Sequence, residues 1–316
     1  MNKWFDWHRY AARGFSMGNR YFGGVAERLF FTQSESQLRY APIFVLGAPR
    51  SGSTLAIQVI TDAFDVGYIS NRHCTWFGAP AIVEHWLRPL AKKPDSDYKS
   101  EHGETRGDYA PAECGDWWYR FFRSRPPYVT LKETDPKRMR EFRHSVGTLA
   151  KAFGKPVLFK NLYASLRIQA IAHYIPESLF IIVHRDEVDN AHSLLEARMK
   201  VHGKYDTWWS MEPPQAEKLK ALPVHEQVIE QIRHIHTTIS QDLKNASVST
   251  ERVFNLHYEA FCEDTHAILD ALGTFFDANN CQVNRIGTPP RQFVRRTDIR
   301  IDQELYEKMR NYAGDI

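Results

Sequence analysis

The chain has 316 residues, enough to bury one large α/β core or two small ones. Its 41 Lys and Arg against 38 Asp and Glu give a formal net charge of +3. This near balance argues against a broad surface for nucleic acid or membrane but allows a local basic pocket. No stretch approaches the roughly 20 apolar residues of a membrane span, and residues 1–20 lack the apolar run of a signal peptide. We therefore expect a cytoplasmic protein without an integral membrane segment.

Short apolar runs rich in β-forming residues alternate with longer helical patterns, which predicts a parallel sheet covered by helices. The first predicted strand leads through a glycine-bounded loop to a helix over about 53–64. The fourth leads to a helix that opens with Asp186 and Glu187, acidic residues that suit a first helical turn. A further helix, through Leu269 and Phe276, follows the last strand. The predicted strands are 42–46, 66–70, 156–160, 179–184 and 252–256.

Three segments lie outside this alternation in what is otherwise a single domain over residues 1–316. Residues 1–40 form an N-terminal arm. Residues 78–127, with many Trp and Tyr side chains, are interpreted as an insertion over the C-terminal edge of the sheet, where ligands bind in such folds. Residues 202–223, with two adjacent tryptophans and three prolines, are interpreted as a second, mobile lid. Ordinary surface packing is the alternative for both segments.

The loop after the first strand has the spacing G-x-x-x-x-G-S-T over 47–54, which is the P-loop frame with Ser53 in place of the lysine. A strand before it and a helix after it are the right context for a cradle of backbone N–H groups that binds an anion. A nucleoside triphosphate needs the missing lysine and a metal on its β- and γ-phosphates. A less charged group, such as a phosphosulfate, suits the candidate ligands Arg50, Ser51, Gly52, Ser53 and Thr54.

Residues 47–55 resemble the loop that binds the 5′-phosphosulfate in sulfotransferases whose sulfuryl donor is 3′-phosphoadenosine 5′-phosphosulfate (PAPS). Residues 179–193 are similar to that family's 3′-phosphate segment, in which an Arg at the strand end and a Ser on the next helix bind the phosphate. The resemblance assigns these roles to Arg185 and Ser193, with Arg198 as a further candidate. Arginine suits the role because its planar fork pairs two phosphate oxygens. Many relatives have a proline after the Arg-Asp pair where this chain has glutamate; that proline is structural.

Two later segments extend the resemblance. Tyr258 stands in a His-Tyr-Glu run similar to the family's Tyr-Glu segment, whose tyrosine lies against the adenine; core packing is the alternative. The basic run over 291–300 resembles a late loop that closes over the 3′-phosphate, with Arg295 and Arg296 as candidates, or else forms a solvated basic face. The resemblance implies a three-layer, P-loop NTPase-like α/β fold. Its central parallel sheet would carry helices on both faces and the aromatic insertion over the active site.

The candidate catalytic residues follow from the needs of sulfuryl transfer. By analogy with phosphoryl transfer, this reaction depends on positioning and on charge stabilisation during an in-line displacement. Lys160, at the end of the third predicted strand, matches the lysine that assists the leaving group in tyrosylprotein and related sulfotransferases. A base of the His or Glu type must also reach the acceptor hydroxyl. We rank His73, after the second strand, and Glu113 ahead of His102 for that role.

The aromatic insertion indicates the kind of acceptor. Trp and Tyr faces stack on sugars or flat rings, and Arg72, Arg106 and Arg120 are candidates to meet an anionic substrate. These side chains do not separate a carbohydrate from a phenol, steroid or lipid. The pattern over 98–118 is similar to bacterial sulfotransferases of the polysaccharide type, and this resemblance implies a carbohydrate hydroxyl as acceptor. Two other classes of function stay open: a P-loop nucleotide kinase or phosphotransferase, and a non-catalytic nucleotide-binding scaffold.

The cysteines and histidines indicate neither disulfides nor a metal site. The four cysteines include no C-x-x-C pair, so free thiols in a reducing compartment are expected. Among the 14 histidines we find no pair at helical ligand spacing, since His234 and His236 would face opposite ways on a helix. A metal hydrolase is therefore disfavoured, and we expect catalysis without a metal.

Overall fold

The computed structural model describes residues 16–31, 37–87, 96–99, 103, 105–296 and 298–314. These residues contain one parallel five-stranded sheet with the strand order β2-β3-β1-β4-β5. The strands are β1 Ile43–Gly47, β2 Gly67–Tyr68, β3 Val157–Lys160, β4 Leu179–His184 and β5 Val253–His257. Each overlaps a strand that the sequence pattern predicts. The prediction of a parallel sheet is therefore confirmed, with β2 reduced to two residues at the sheet edge.

Helices cover the sheet and follow the strands in alternation. In the described part of the chain, none is long and apolar enough to cross a membrane. A π-helical turn, Asn19–Gly23, precedes the first helix. The helices are α1 Gly24–Phe30, α2 Ser53–Ala63, α3 Asn71–Thr75, α4 Pro80–Leu87, α5 Gly115–Trp118, α6 Pro136–Phe153, α7 Ile168–Tyr174, α8 Glu187–His202, α9 Ala216–Leu219, α10 Val224–Asn245, α11 Tyr258–Glu263, α12 Thr265–Ala278 and α13 Gln303–Gly314.

The core consists of two layers, one on each face of the sheet. Side chains alternate along the strands, so Phe44 and Phe180 pack with α6, α7 and α10 on one face. Val45 and Ile181, one residue further along the same strands, pack with α2 and α12 on the other. Helices on both faces of a parallel sheet confirm the three-layer α/β architecture.

The carboxyl ends of the strands position the functional residues. Residues 47–54 follow β1, which lies at the centre of the sheet between β3 and β4. Lys160 is the last residue of β3, Arg185 is the first after β4, and Tyr258 is the first after β5. Because all strands are parallel, these four features meet at one edge of the sheet, where ligands bind in such folds.

Part of the predicted aromatic insertion lies inside the protein. Trp117 and Trp118, in α5, are 0% and 1% exposed. Trp117 stacks on Phe159 of β3 with ring centroids 5.5 Å apart and an angle of 13° between the planes. The interpretation of these two rings as acceptor-stacking faces is therefore wrong, because they are buried in the core beneath the sheet.

Two smaller features complete the fold. The helix predicted after the last strand is in fact two helices, because Asp264 follows α11 and caps α12 by accepting a hydrogen bond from the N–H of Ala267 at 3.2 Å. All four cysteines are unpaired, as their spacing predicts.

Candidate active site

The loop 47–54 turns sharply between β1 and α2. Arg50 and Gly52 have φ angles of 65° and 93°, in the left-handed region. Gly52 is needed for a second reason, because a Cβ at this position would overlap the Tyr258 ring. The loop therefore packs its backbone directly against the first residue of α11.

The loop also has hydrogen-bonding capacity that the described residues do not use. The Ser51 hydroxyl is buried, and no described residue forms a hydrogen bond with it. Buried polar groups normally have a partner, so this hydroxyl is available to donate to a ligand bound in the loop. Ser53 begins α2, whose N-terminus carries the positive end of the helix dipole. An anion is the ligand that such a loop favours.

A cavity of about 640 Å³ opens at this edge of the sheet, a size typical of small-molecule sites. Its charged lining is mostly basic, although the charge of the whole chain is almost balanced. A ligand with several negative charges would therefore be favoured. The basic lining residues are Arg50, Lys99, Arg106, Lys160, Arg185, Lys200, Arg296 and Arg300, and the acidic ones are Asp97, Glu113 and Glu196.

A second candidate anion site lies beside the loop. Arg50 Nε donates to the hydroxyl of Ser193 on α8 at 3.1 Å, and Arg185 donates to the carbonyl of Arg50 at 3.0 Å. Burial lowers the pKa of Arg50; Glu196 opposes this effect, and the neighbouring arginines add to it. Guanidinium groups that share a partly buried position repel one another, so an anion between them would be strongly stabilised.

Tyr258 forms a flat wall next to this second site. The Arg185 guanidinium lies 5.0 Å from the centre of the Tyr258 ring. The Nε of Arg185 is buried and unbonded within the described structure. Burial raises the pKa of Tyr258 to about 12, so the ring is neutral at physiological pH. A neutral aromatic face beside two arginines is suited to a planar base that carries a phosphate.

An acid–base pair lies on the other side of the loop. Lys160 Nζ forms a short ion pair with Glu113 Oε1 and donates to the Thr54 hydroxyl at 3.2 Å. The second oxygen of Glu113 accepts from the backbone N–H of Leu162 at 3.2 Å. The Lys160 side chain is only 4% exposed, whereas that of Glu113 is 28% exposed. The carboxylate can therefore be reached from the cavity while the ammonium stays against the loop.

Comparison with known proteins agrees with this arrangement. The model of the sulfotransferase family matches residues 42–279, from the strand before the loop to the end of α12. The chain belongs to the sulfotransferase family. Sulfuryl transfer is therefore its general activity. No curated protein matches the chain.

Solved sulfotransferases share the fold of this chain. Sulfotransferase STF1 from Mycobacterium tuberculosis H37Rv has a TM-score of 0.52 and 12% identity, over 96% of this chain and 80% of that one. Sulfotransferase STF9 from Mycobacterium avium has a TM-score of 0.48 and 15% identity, over 87% and 68% of the two chains. A sulfotransferase from Alicyclobacillus acidocaldarius has a TM-score of 0.43 and 14% identity, over 87% of this chain and 92% of that one. The likeness to STF1, together with the match to the family model, confirms the P-loop NTPase-like fold.

The sequence prediction for the base of this sulfotransferase needs one correction. His73 does not line the cavity but is buried at the start of α3. Its Nδ1 accepts from the backbone N–H of Ser70 at 3.0 Å, and its Nε2 lies 3.5 Å from Glu84. Nδ1 thus caps the helix, and Nε2 faces Glu84. Glu113, which lines the cavity, is therefore the candidate for the catalytic base. His102 lies outside the described residues.

Arg198 is also placed differently from the prediction. Its side chain is fully buried between α8 and α10 and does not line the cavity. It donates to the carbonyl of Tyr205 at 3.1 Å and to the side-chain oxygen of Gln231 at 2.9 Å, and it forms a short hydrogen bond with Gln227. The opposite face of α8 carries Ser193, so one helix cannot present both residues to the same phosphate.

Arg198 instead holds the segment that the sequence analysis interprets as a lid. Gln231, its partner, donates to the carbonyls of Trp209 at 3.1 Å and Met211 at 2.8 Å. Met211 is fully buried, and Trp209 lines the cavity. The middle of residues 202–223 is therefore anchored to α8 and α10, and Trp209 contributes to a cavity wall.

The basic C-terminal run is divided between the cavity and the solvent. Arg296 lines the cavity, whereas Arg295 is exposed and does not. Arg300, which we did not select from the sequence, lines it as well. It is held by an ion pair with Glu196 at 2.7 Å and by a hydrogen bond from its backbone N–H to His192 at 3.1 Å. The run thus reaches the same edge of the sheet as the second anion site.

The sequence analysis did not select three further residues that line the cavity. His192, Glu196 and Lys200 share one face of α8 with the spacing of four that marks a helix face, a signal that the sequence did contain. Of the arginines proposed to meet the acceptor, Arg106 lines the cavity. Arg120 does not line the cavity; its side chain is 10% exposed and donates to the backbone carbonyl of Phe77 at 3.1 Å.

Proposed function

We propose that this sulfotransferase takes the sulfuryl group from PAPS and transfers it to a hydroxyl group of a saccharide. The observation that carries the proposal is a pair of anion sites at one sheet edge. The first is the loop 47–54, which has Ser53 in place of the P-loop lysine, and the second is built from Arg50, Arg185 and Ser193. A nucleoside triphosphate would need the lysine and would have no use for the second site.

The residues present fit this donor. The buried Ser51 hydroxyl and the N-terminus of α2 supply donors for the phosphosulfate. Arg185, whose Nε has no partner within the described residues, and Ser193 would bind the 3′-phosphate. Tyr258 would lie against the adenine. The cationic cavity matches the negative charge of the donor.

The donor supplies an activated sulfuryl group, and the protein supplies charge and position. Lys160, held against Thr54, would stabilise the negative charge that develops on the oxygen of the leaving group. Glu113 would accept the proton of the acceptor hydroxyl, since it is the more exposed member of the pair and is oriented by the N–H of Leu162. Both groups adjoin the loop that would hold the sulfuryl group.

The lining of the cavity supports a saccharide as the acceptor. Trp209 offers one aromatic face, which is the surface on which sugar rings stack. Asp97, Lys99 and Arg106 add charged groups that hydrogen-bond to hydroxyls. This mixture suits a polyhydroxylated molecule better than a wholly apolar phenol or steroid.

The proposal is tested by transfer of radiolabelled sulfate from PAPS to separate pools of saccharide, phenol and lipid acceptors. Label is expected in the saccharide pool. Glu113→Gln should lower the rate by about 10²–10⁴-fold, the usual contribution of a general base. Glu196→Gln is the matched control, because it removes a cavity carboxylate that pairs with Arg300 rather than with Lys160.

Three outcomes would contradict parts of the proposal. Label in the phenol or lipid pool alone would reject the saccharide. Equal rates for the two glutamine variants would reject Glu113 as the base. PAPS binding without transfer to any pool would favour a nucleotide-binding scaffold.

A further inference from the structure

Large apolar side chains are exposed along the N-terminal helical segment, far more densely than elsewhere. Of the thirteen exposed large hydrophobic residues in the described part of the chain, six lie between residues 17 and 30. They are between 51% and 80% exposed, and the ring of Trp86, itself 60% exposed, lies 6.0 Å from that of Phe30. We call this set the N-terminal face: Met17, Tyr21, Phe22, Val25, Leu29, Phe30 and Trp86.

The spacing of these residues shows a helix face rather than scattered exposure. Met17, Tyr21, Val25 and Leu29 recur every four residues and so project from the same side of the helix. Isolated exposed apolar residues are normal on protein surfaces, but a contiguous patch of this kind marks an interaction site.

The opposite side of the same helix is firmly attached to the protein. Asn19 donates to the carbonyl of Thr75 at 2.8 Å, and the buried carboxylate of Glu27 accepts from the N–H of Ala81 at 2.9 Å. Gly23 packs so closely on Gly78 that a Cβ would clash with the backbone. The N-terminal face is therefore presented to the outside by a docked helix.

Charge identifies the kind of partner. Residues 1–31 contain five Lys and Arg against two acidic residues, a surplus of three that equals the formal net charge of the whole chain. The other 285 residues hold 36 basic and 36 acidic residues. Glu27 is buried on the attached side, Arg28 pairs with Glu141 outside the segment at 2.7 Å, and Arg20 donates to the carbonyl of Tyr119 at 2.8 Å. The charge argument therefore rests on the composition of residues 1–15, which contain three basic residues against one acidic residue. The near balance of the chain thus hides a cationic N-terminal segment.

The composition before the helix has the same character. Residues 1–15 combine the aromatic residues Trp4, Phe5, Trp7 and Tyr10 with Lys3, Arg9 and Arg13. Aromatic and aliphatic residues together with Lys and Arg are typical of segments that lie in the interface of an anionic bilayer. Two copies of the chain would instead bring like charges together if they met through this face, which disfavours a self-interface.

We propose that the N-terminal face binds the surface of an anionic lipid bilayer and holds the enzyme there as a peripheral protein. The apolar side chains would enter the headgroup region, and the basic residues of the segment would contact lipid phosphates. This inference goes beyond sulfuryl transfer and does not depend on the identity of the donor or acceptor.

The test is flotation of the full chain with vesicles of phosphatidylcholine, alone or mixed with phosphatidylglycerol. Binding is expected to the mixed vesicles and to weaken as salt screens the charges. Phe22→Ser and Leu29→Ser should each weaken binding about tenfold, in line with the loss of one large apolar side chain from the interface. Replacing both Arg9 and Arg13 with Gln should reduce the preference for anionic lipid.

Ile286→Ser is the matched control, because it removes an exposed apolar residue outside this face and should leave binding unchanged. The melting temperatures of all variants should match that of the unmodified chain, since the replaced side chains of the face and the control are exposed. Equal binding to both vesicle types, or equal loss in the control, would overturn the proposal. So would absence of binding, including the case in which light scattering shows a dimer that Leu29→Ser dissociates.

Discussion

At the scale of single residues, the ion pair of Lys160 and Glu113 is the feature on which the proposed chemistry depends. The ammonium of Lys160 is shielded from solvent and contacts both the Glu113 carboxylate and the Thr54 hydroxyl. A charge held in this way has little freedom to reorganise, so it can stabilise developing negative charge at low cost.

Lys160→Ala should lower kcat by about a hundredfold to a thousandfold, the usual effect of removing one preorganised charge-stabilising group. The affinity for 3′-phosphoadenosine 5′-phosphate should change little, because the loop and the second anion site stay intact. Steady-state kinetics and calorimetric titration of the same preparation separate the two effects. An unchanged kcat would remove Lys160 from the mechanism.

The place of a residue at the cavity could be predicted best where its position in the sheet determines it. Lys160 and Arg185 each lie at the carboxyl end of a predicted strand, and parallel topology brings such ends together; their roles come from the family resemblance and stay predictions. His73 also follows a strand, but its ring turns inward to cap α3. A local sequence cannot show that turn, because it depends on the packing of α4 and of Glu84 against the same ring.

At the scale of elements, α8 divides two tasks between its faces. One face presents Ser193 and Glu196 to the cavity, and the other buries Arg198 against α10. The sequence suggests Arg198 as a phosphate ligand because it lies on the same helix as Ser193. The angular offset between the two positions, together with Gln227 and Gln231 on α10, determines its actual orientation.

Arg198→Met should therefore raise the KM for the acceptor and leave the affinity for 3′-phosphoadenosine 5′-phosphate unchanged. It would also lower stability by about 1–3 kcal/mol, because the Gln227 and Gln231 oxygens lose a buried donor. Arg185→Met is the matched control and should weaken nucleotide binding. If Arg198→Met weakened nucleotide binding as much as Arg185→Met, the 3′-phosphate role would be restored to Arg198.

The strands and their parallel arrangement could be predicted from short apolar runs, because parallel strands that are buried on both faces have such runs. The aromatic segment was harder to interpret, since composition does not distinguish a ring that faces a ligand from one that enters the core. Trp117 and Trp118 are buried against Phe159, whereas Trp209 reaches the cavity. The difference lies in long-range packing, which no local pattern encodes.

At the scale of the whole molecule, a stack of imidazoles links the sheet to α10. The ring of His184, beside Arg185, stacks on His236 at 4.9 Å and on His257 at 5.2 Å. Burial, reinforced by His184, lowers the pKa of His236 to about 4. The folded protein therefore keeps this ring neutral at a pH where the unfolded chain binds a proton.

The consequence is a loss of stability in acid. A histidine with a depressed pKa contributes stability that is present above its unfolded value of 6.5 and is lost as the pH falls towards 4. His236→Phe keeps a flat ring without a proton site, so its melting temperature should fall less than that of the unmodified chain between these values. If the melting temperatures of the two proteins fell equally with pH, His236 would not be the source of the acid sensitivity.

The proposed choice of PAPS over ATP depends on the whole molecule, because the residues from which it is inferred follow β1, β4 and β5. Thermal denaturation with nucleotides tests it most directly. Saturating 3′-phosphoadenosine 5′-phosphate without metal should raise the melting temperature. At a nucleotide concentration of a hundred times Kd, the free energy of unfolding should increase by roughly 2.7 kcal/mol. ATP with Mg²⁺ should leave it unchanged. Stabilisation by ATP with Mg²⁺ and not by 3′-phosphoadenosine 5′-phosphate would contradict the account.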